Sequence, residues 1–279
     1  MIASMAGFAV EDALVKATAH ALPVGEVLMI FGAGGAVLFA AIARLNGERL
    51  YTPDVVSKPM RIRVLFEIIG RLFYVLAVTL TPLSSATVIL QATPLVVVAG
   101  ASMVFGERVG WRRWAAIFIG LIGVVIIIGP GTNSFSALSA LAVIGMLGFA
   151  GRDLASRAAP ITLSTSLLGL YGFLAVVVAG LFYSLWDGQG FLWPNLTISL
   201  YLALAILAGV SAYSCLMKAM RTGAVSAVTP FRYSRLLFGI ALGVFVFGEQ
   251  LSNATFIGAG LVVLSGLFTL WRGPARPAA

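Results

Sequence analysis

The stretch that decides the fold is residues 8–16, FAVEDALVK, because it occurs a second time as residues 149–157, FAGRDLASR. A second motif, Phe105-Gly106-Glu107, returns as Phe247-Gly248-Glu249, and the two motifs follow in the same order in both halves. The copies lie 141 and 142 residues apart. An order kept over this distance indicates an internal duplication. It predicts two equivalent domains, residues 1–131 and 132–279.

The composition places this duplicated chain in a membrane. Of its 279 residues, 60% are hydrophobic and only 10% are charged, whereas soluble domains carry about 25% charged residues. One cysteine, Cys215, and one histidine, His20, cannot form a disulfide framework or a metal cluster. We therefore expect an integral membrane protein that holds no metal and no cofactor.

Apolar stretches long enough to cross a bilayer occur ten times along the chain. A membrane-spanning helix needs about 20 predominantly apolar residues, and most links between the stretches are short and rich in Pro, Gly, Ser or Asn. One link, residues 46–62, is long and charged. The sequence thus predicts an all-α protein with ten transmembrane helices, at residues 1–19, 25–45, 63–81, 84–105, 111–130, 137–158, 162–185, 197–219, 225–247 and 252–272.

The distribution of Lys and Arg predicts that both termini are cytoplasmic. With this orientation the outside loops hold no Lys or Arg, which obeys the positive-inside rule. Trp186 and Trp193 then fall in an outside loop, where interfacial aromatic residues are expected. The inside connections, with the span ends that adjoin them, hold these Lys and Arg residues: Arg44, Arg49, Lys58, Arg61, Arg63, Arg108, Arg112, Arg113, Arg157, Lys218, Arg221, Arg272 and Arg276.

Five spans in each half is an odd number, so the second half must be inverted with respect to the first. Inverted repeats related by an axis in the membrane plane are a known basis for alternating access. The offset between the copies also places the start of the first span ahead of Met1, which predicts a few further residues upstream.

The second part of each half resembles a known family. Residues 86–94, ATVILQATP, lead to Phe105-Gly106-Glu107-Arg108 and then to Ile119-Gly120; residues 227–230, AVTP, lead to Phe247-Gly248-Glu249. This tandem arrangement resembles the EamA domain of the drug/metabolite transporter superfamily over essentially the whole chain. The resemblance implies a central cavity lined mainly by spans 1, 3, 4, 6, 8 and 9, and small organic substrates.

Residues 230–237, PFRYSRLL, are similar to the branch of this superfamily that includes riboflavin and S-adenosylmethionine uptake carriers. The chain departs from many members early in span 2. They carry an arginine there, and this chain has residues 31–35, FGAGG. No role of that arginine can be carried over.

Polar groups in the spans are candidates for substrate contact. An ionisable side chain in the bilayer core costs about 2.5–3.5 kcal/mol on insertion scales, so each requires a reason. Arginine offers a planar fork for carboxylate or phosphate, but Arg232 or Arg235 can equally pair with Asp12 or Glu67. Pro94 and Pro230 are expected to kink spans 4 and 9. The predicted substrate-binding residues are Arg232, Arg235, Tyr233, Gln91, Tyr74 and Tyr213.

A second set of charged residues is predicted to couple or gate transport. Three acid–base pairs share the i, i+4 spacing that lets them meet on one helical face: Asp12 with Lys16, Glu67 with Arg71, and Asp153 with Arg157. Such pairs either neutralise a helix for insertion or change partners between states. The predicted coupling and gating residues are Asp12, Lys16, Glu67, Arg71, Arg152 and Asp153.

Together these features predict a secondary carrier of a small polar metabolite, anionic or zwitterionic, in the bacterial inner membrane. Proton coupling or exchange would drive it, because no nucleotide-hydrolysing motif is present. A polytopic membrane enzyme and a channel or structural subunit are the alternatives, and the sequence favours a protein that is not an enzyme. The expected partners are the substrate and the bilayer, without nucleic acid, for a monomer or homodimer.

Overall fold

The structure is a computed structural model and describes residues 1–106, 110–128, 138–222 and 229–271. Within these ranges the chain is helical and forms no strand. A short 3₁₀ helix, Pro53–Val56, precedes α3, and a second, Thr229–Tyr233, precedes α10. The α-helices are α1 Ile2–Thr18, α2 Val24–Leu45, α3 Lys58–Leu80, α4 Leu83–Leu90, α5 Thr93–Phe105, α6 Trp111–Ile128, α7 Ser139–Arg157, α8 Thr165–Asp187, α9 Leu196–Thr222, α10 Ser234–Phe247 and α11 Asn253–Trp271.

Every stretch predicted to be a span contains a helix of the described chain, but one boundary was wrong. Helix α3 begins at Lys58, five residues before the predicted start, because Pro59 in its first turn is compatible with a helix N-terminus. The charged link before it is correspondingly shorter. Arg63, counted from the sequence among the basic residues of the inside connections, is a buried helical residue.

Four helical segments are long and apolar enough to cross a membrane by length and composition. They are Val24–Leu45, Leu83–Phe105, Thr165–Asp187 and Leu196–Leu216. Helices α1, α3 and α7 carry ionisable residues in their interiors. An apolar stretch is shorter in α6 and α11, at Trp114–Ile126 and Asn253–Ser265.

Two equivalent spans are not continuous α-helices over their described residues, and we call them the interrupted spans. In the first half, α4 ends at Leu90, and a turn at Gln91 and Ala92 separates it from α5, in which Pro94 is the second residue. In the second half, the 3₁₀ helix Thr229–Tyr233 precedes α10. Proline lacks the N–H that would continue a helix. The side chain of Pro230 lies outside the described part of the structure.

The repeated Phe-Gly-Glu motif ends a helix in each half. Gly106 follows α5 with φ 66° and Gly248 follows α10 with φ 63°, and this left-handed conformation is one that glycine adopts without a Cβ penalty. In both halves the glycine of the motif thus ends a helix. Glu249 has further contacts, described below, whereas Glu107 lies outside the described residues.

The helices pack mainly across the two halves of the chain. Helix α2 packs against α8, α3 against α7, α1 against α9, α6 against α11, and α4 against α10. Numbered as spans, these pairs are 2–7, 3–6, 1–8, 5–10 and 4–9. Exchanging each span for its equivalent in the other half leaves this set of pairs unchanged, as a two-fold relationship requires.

Small residues on α7 allow it to approach α3 closely. Gly145, Gly148 and Gly151 recur every third residue, and all three face α3. A Cβ on Gly145 would lie 2.8 Å from the backbone nitrogen of Tyr74, a separation that side chains do not tolerate. These glycines therefore allow a close contact between α7 and α3 at Tyr74.

Candidate functional site

A cavity lies where the two halves meet. Its walls come from α1, α3, the junction of α4 and α5, α7, α8, α9 and the segment that joins the second 3₁₀ helix to α10. These are the spans that the family resemblance implied, with α8 in addition. The ionisable side chains that line it are one acid and four bases: Glu67, Arg71, Arg152, Arg232 and Arg235.

Five of the six predicted substrate-binding residues line this cavity: Arg232, Arg235, Gln91, Tyr74 and Tyr213. Tyr233 does not. It is 5% exposed and packs in an apolar cluster, and its hydroxyl has no hydrogen-bond partner among the described residues. Its neighbours in the chain face the cavity because residues 232 and 235 lie on one side of this turn and residue 233 on another.

Asp12 on α1 binds Arg235 on α10. The Arg235 Nη2 lies 2.5 Å from the Asp12 Oδ2, and the hydroxyl of Tyr74 donates to the same oxygen at 3.1 Å. The guanidinium of Arg235 also lies over the rings of Phe8 and Tyr74, at 5.1 and 5.7 Å from their centroids. Arg235 is thereby fixed at the cavity wall by charge and by two aromatic faces.

Asp153, the equivalent of Asp12 in the second half, binds two bases. Its Oδ1 accepts from Arg152 at 2.8 Å and its Oδ2 from Arg232 at 3.2 Å. Gln91 donates to the backbone oxygen of Arg232 at 3.0 Å, and Arg152 lies over the ring of Phe149 at 4.7 Å. Each duplicated aspartate thus holds one arginine of the same interrupted span.

Two further carboxylates complete the buried charge network. Glu11 binds Arg71 at 2.6 Å, and Arg71 lies over the ring of Phe31 at 5.2 Å. Glu67 is shared between Arg152, at 3.3 Å, and Arg63, at 3.7 Å. The pair Glu11–Arg71 joins α1 to α3, and the pair Glu67–Arg152 joins α3 to α7. Glu67 and Arg63 both lie on α3.

None of the three proposed i, i+4 pairs forms. Asp12 binds Arg235 instead of Lys16, Glu67 binds Arg63 and Arg152 instead of Arg71, and Asp153 binds Arg152 and Arg232 instead of Arg157. The physical reason is that the acids face other helices, whose arginines offer shorter contacts than the partner one turn away. The alternative in which Arg235 pairs with Asp12 is the observed one.

Lys16 lies apart from the cavity, at the far end of α1. Its ammonium group lies 3.4 Å from Glu249 and donates to the backbone oxygens of Val78 and Thr81, at 3.1 and 2.7 Å. The carboxylate of Glu249 also accepts from the backbone nitrogen of Leu83, at 2.6 Å. This contact joins the C-terminal end of α1 to the residue that follows the C-cap of α10.

Three site residues were missed or undervalued from the sequence. Arg63 was counted only among the basic residues of the inside connections, at the start of span 3, although its i, i+4 spacing to Glu67 was the available signal. Phe8 and Phe149 were noted only as the first residues of the repeated motif, yet both line the cavity. Because each stacks with an arginine, the motif supplies both the aspartates and the aromatic faces of this site.

The chemistry of the site suits a ligand that accepts hydrogen bonds and carries negative charge. Four arginines reach one cavity that a single glutamate also lines. Guanidinium groups offer donors in a fixed fork that matches carboxylate and phosphate. The neighbouring rings supply flat apolar surface for the remainder of such a ligand.

The sequence profile of the EamA-like transporter family matches residues 1–129 and 136–271. The chain is 26% identical over 213 residues to the S-adenosylmethionine uptake transporter of Rickettsia prowazekii (strain Madrid E), covering 75% of this chain and 70% of the relative. It is 29% identical over 213 residues to the riboflavin transporter of Vibrio cholerae serotype O1, with the same coverage. It is 26% identical over 272 residues to the pseudopaline exporter CntI of Pseudomonas aeruginosa, covering 95% and 92%.

A solved crystal structure shares the fold. It superposes with a TM-score of 0.66 over 97% of this chain and 99% of the other, at 20% identity. The helical arrangement described above is therefore one that an experimental structure also adopts.

Proposed function

Since the chain belongs to the EamA-like transporter family, we propose that it is a secondary carrier of a small polar metabolite that works by alternating access. Family membership makes it a multi-pass transporter of the bacterial cell membrane. The relatives carry transporter names and none of the three is named as an enzyme. The proposal goes further, to the class of cargo, the mechanism and the residues that carry them.

One observation carries the proposal: four arginines from three spans converge on a single cavity between the halves. Arginines at this depth are costly in a bilayer, and each is retained by a carboxylate or an aromatic ring. They favour an anionic or zwitterionic cargo, amino-acid-like or cofactor-like. Arg232, Arg235, Gln91, Tyr74 and Tyr213 are the proposed contacts, whereas Tyr233 supports them from the core.

The proposed topology has ten spans in two inverted repeats, residues 1–131 and 132–279, with both termini cytoplasmic. The absence of Lys and Arg from the outside loops supports this orientation, and the exchange symmetry of the helix pairs supports the two repeats. In a Cys215→Ser background, a cysteine at Gly190 is expected to react with an impermeant thiol reagent in intact cells, and one at Arg49 only after permeabilisation. The reverse labelling pattern would show that both termini lie outside the cell membrane.

The proposed coupling residues are the two duplicated aspartates and their partners. Asp12 holds Arg235 and Asp153 holds Arg232, so a movement of the interrupted span changes both pairs. A carboxylate that loses its basic partner binds a proton more readily. Release of Asp12 or Asp153 in one state would thus link cargo movement to protons or to exchange, with Glu67, Arg71 and Arg152 as the other members of the network.

The test is the thermal stability of the purified protein against a panel of riboflavin, S-adenosylmethionine, amino acids, nucleosides and dicarboxylates. A compound at about 100 times its dissociation constant adds roughly 2.7 kcal/mol to the folded state. The stabilisation is expected to disappear in Arg232→Ala, which removes a cavity base. It should persist in Arg44→Ala, which removes an exposed arginine at the end of α2.

Each outcome has a definite meaning. Stabilisation that is lost only in Arg232→Ala supports both the cargo class and the site. Stabilisation that persists in Arg232→Ala would mean that Arg232 does not contact the bound compound. If no compound of the panel stabilises the wild-type protein, the proposed cargo class is contradicted.

A further inference from the structure

Arg63 is buried more completely than any cavity base, and it connects four helices. It is 1% exposed on α3. Its Nε donates to the hydroxyl of Ser156 on α7 at 3.0 Å, and its Nη2 donates to the backbone oxygen of Leu168 on α8 at 3.1 Å. The same Nη2 donates to the hydroxyl oxygen of Tyr213 on α9, also at 3.1 Å. Arg63 itself does not line the cavity, but Tyr213 does.

The contact with Tyr213 has only one possible direction. A guanidinium has five N–H donors and no acceptor, whereas a phenol oxygen both accepts and donates. The oxygen of Tyr213 therefore accepts from Arg63, and its own hydrogen remains to be donated. Within the described part of the chain, the bond from Arg63 is the one hydrogen bond of this hydroxyl, so its hydrogen can be donated to a molecule in the cavity.

The surroundings hold this arrangement in place. The ring of Phe39 meets the ring of Tyr213 edge-on, with centroids 5.5 Å apart. Glycine at position 172 makes room for the charged groups, because a Cβ there would lie 3.3 Å from the Arg63 Nη2 and 3.6 Å from the Glu67 Oε2. Glu67 balances the charge of Arg63 at 3.7 Å. The guanidinium thus has little freedom to release Tyr213.

We propose that Arg63 is a positioning residue that commits the hydroxyl of Tyr213 to donate a hydrogen bond to the cargo. The cargo would bring a carbonyl or carboxylate oxygen, or an unprotonated ring nitrogen, to the α9 side of the cavity. A group that only donates would leave this hydroxyl unpaired. The inference rests on the proposed function, because it takes the cavity to be the cargo site.

The test uses riboflavin and S-adenosylmethionine as probes, both of which carry carbonyl or carboxylate acceptors. Tyr213→Phe is expected to raise the dissociation constant of the bound probe about tenfold, as the loss of one hydrogen bond predicts. Arg63→Gln should do the same, and the double variant should be no weaker than either single variant, because both remove one interaction. Arg63→Lys keeps a donor and should restore part of the affinity.

Tyr171→Phe is the matched control, because the hydroxyl of Tyr171 donates to the backbone oxygen of Leu50 and does not line the cavity. It should bind both probes as the wild type does. Wild-type affinity in Tyr213→Phe, or effects of Arg63→Gln and Tyr213→Phe that simply add, would overturn the inference. The first result would leave the carrier function intact if Arg232→Ala still abolished binding.

A measurement without cargo tests the first step directly. In protein with isotope-labelled tyrosine, the infrared C–O stretch that disappears in Tyr213→Phe belongs to Tyr213. Its frequency is expected to shift in Arg63→Gln and to stay unshifted in Arg44→Ala. An unchanged frequency in Arg63→Gln would overturn the inference even if neither probe bound, and probe failure alone would count against the proposed cargo instead.

Discussion

Replacing Glu249 by glutamine is expected to destabilise the protein more than replacing its ionic partner Lys16 by methionine. The carboxylate of Glu249 accepts from the backbone nitrogens of Leu83 and Ser84, at 2.6 and 3.0 Å, and from the Ser84 hydroxyl at 2.8 Å. These donors lie at the N-terminus of α4, where the helix dipole favours a negative charge. Glu249 would therefore remain well satisfied without Lys16.

Lys16 has fewer other hydrogen bonds than Glu249, and none of its other partners is charged. Its side chain is 9% exposed, and its other contacts are the backbone oxygens of Val78 and Thr81 and the ring of Phe247, whose centroid lies 5.3 Å from the ammonium nitrogen. At 3.4 Å from Glu249, the attraction of the pair is about 5 kcal/mol at an effective dielectric constant of about 20, before desolvation is subtracted. Removing one partner of a buried pair costs about 3–5 kcal/mol when the other charge is left uncompensated. We expect a loss in this range for Glu249→Gln and about 2 kcal/mol for Lys16→Met.

The assay is equilibrium unfolding in mixed micelles, followed by the fluorescence of the five tryptophans. The loss of unfolding free energy in the double variant should be smaller than the sum of the two single losses, by about 2 kcal/mol. In the double variant no buried charge is left without its partner. Lys58→Met, which removes an exposed lysine at the start of α3, should change little. Additive losses within about 0.5 kcal/mol, or a larger loss for Lys16→Met, would refute the reasoning.

Two other predictions concern transport and packing. Asp153→Asn removes the acceptor of two arginines and is expected to abolish the dependence of vesicle uptake on a proton gradient; an unchanged dependence, equal to that of an Asp187→Asn control, would contradict its coupling role. Gly145→Val places a side chain 2.8 Å from the backbone of Tyr74 and should sharply lower the yield of monodisperse protein in size-exclusion chromatography. Gly260→Val, where no atom lies within 4 Å of the added Cβ, should leave the yield unchanged.

The helices were predictable because their signals are local. The repeated Phe-Gly-Glu motif places a glycine with positive φ directly after a helix in both halves, at Gly106 and Gly248, and a sequence repeat is sufficient to find it. The spacing of Gly145, Gly148 and Gly151 on α7 is also a local feature of the sequence, and the missing side chains allow the close contact with α3. The start of α3 was predicted too late, since the charged residues of its first turns read as a loop.

The partners of the buried charges were not predictable from spacing. Asp12 binds a residue 223 positions away, Arg235, and Glu11 binds one 60 positions away, Arg71. The i, i+4 rule applies only to residues on the same helix. A buried carboxylate pairs with the base that the tertiary fold brings closest, which here lies on another helix. Gln91 shows the same limit: it was expected near the site as the equivalent of Tyr233, and its donation to the backbone of Arg232 depends on the two interrupted spans meeting.

The two halves share a helical arrangement but differ in their charged residues. The two sides of the cavity therefore differ in charge. Asp12 and Asp153 are equivalent, and so are Phe8 and Phe149, but all three arginines that the aspartates bind come from the second half, and two of them, Arg232 and Arg235, lie on its interrupted span. At the matching positions of the first half stand an apolar Leu90 and a neutral Thr93. A symmetric cavity would accept a cargo in two orientations, whereas this one has two of its four arginines on a single interrupted span. A cargo with a charged end and a flat end should therefore bind in one orientation, with its charge toward α10.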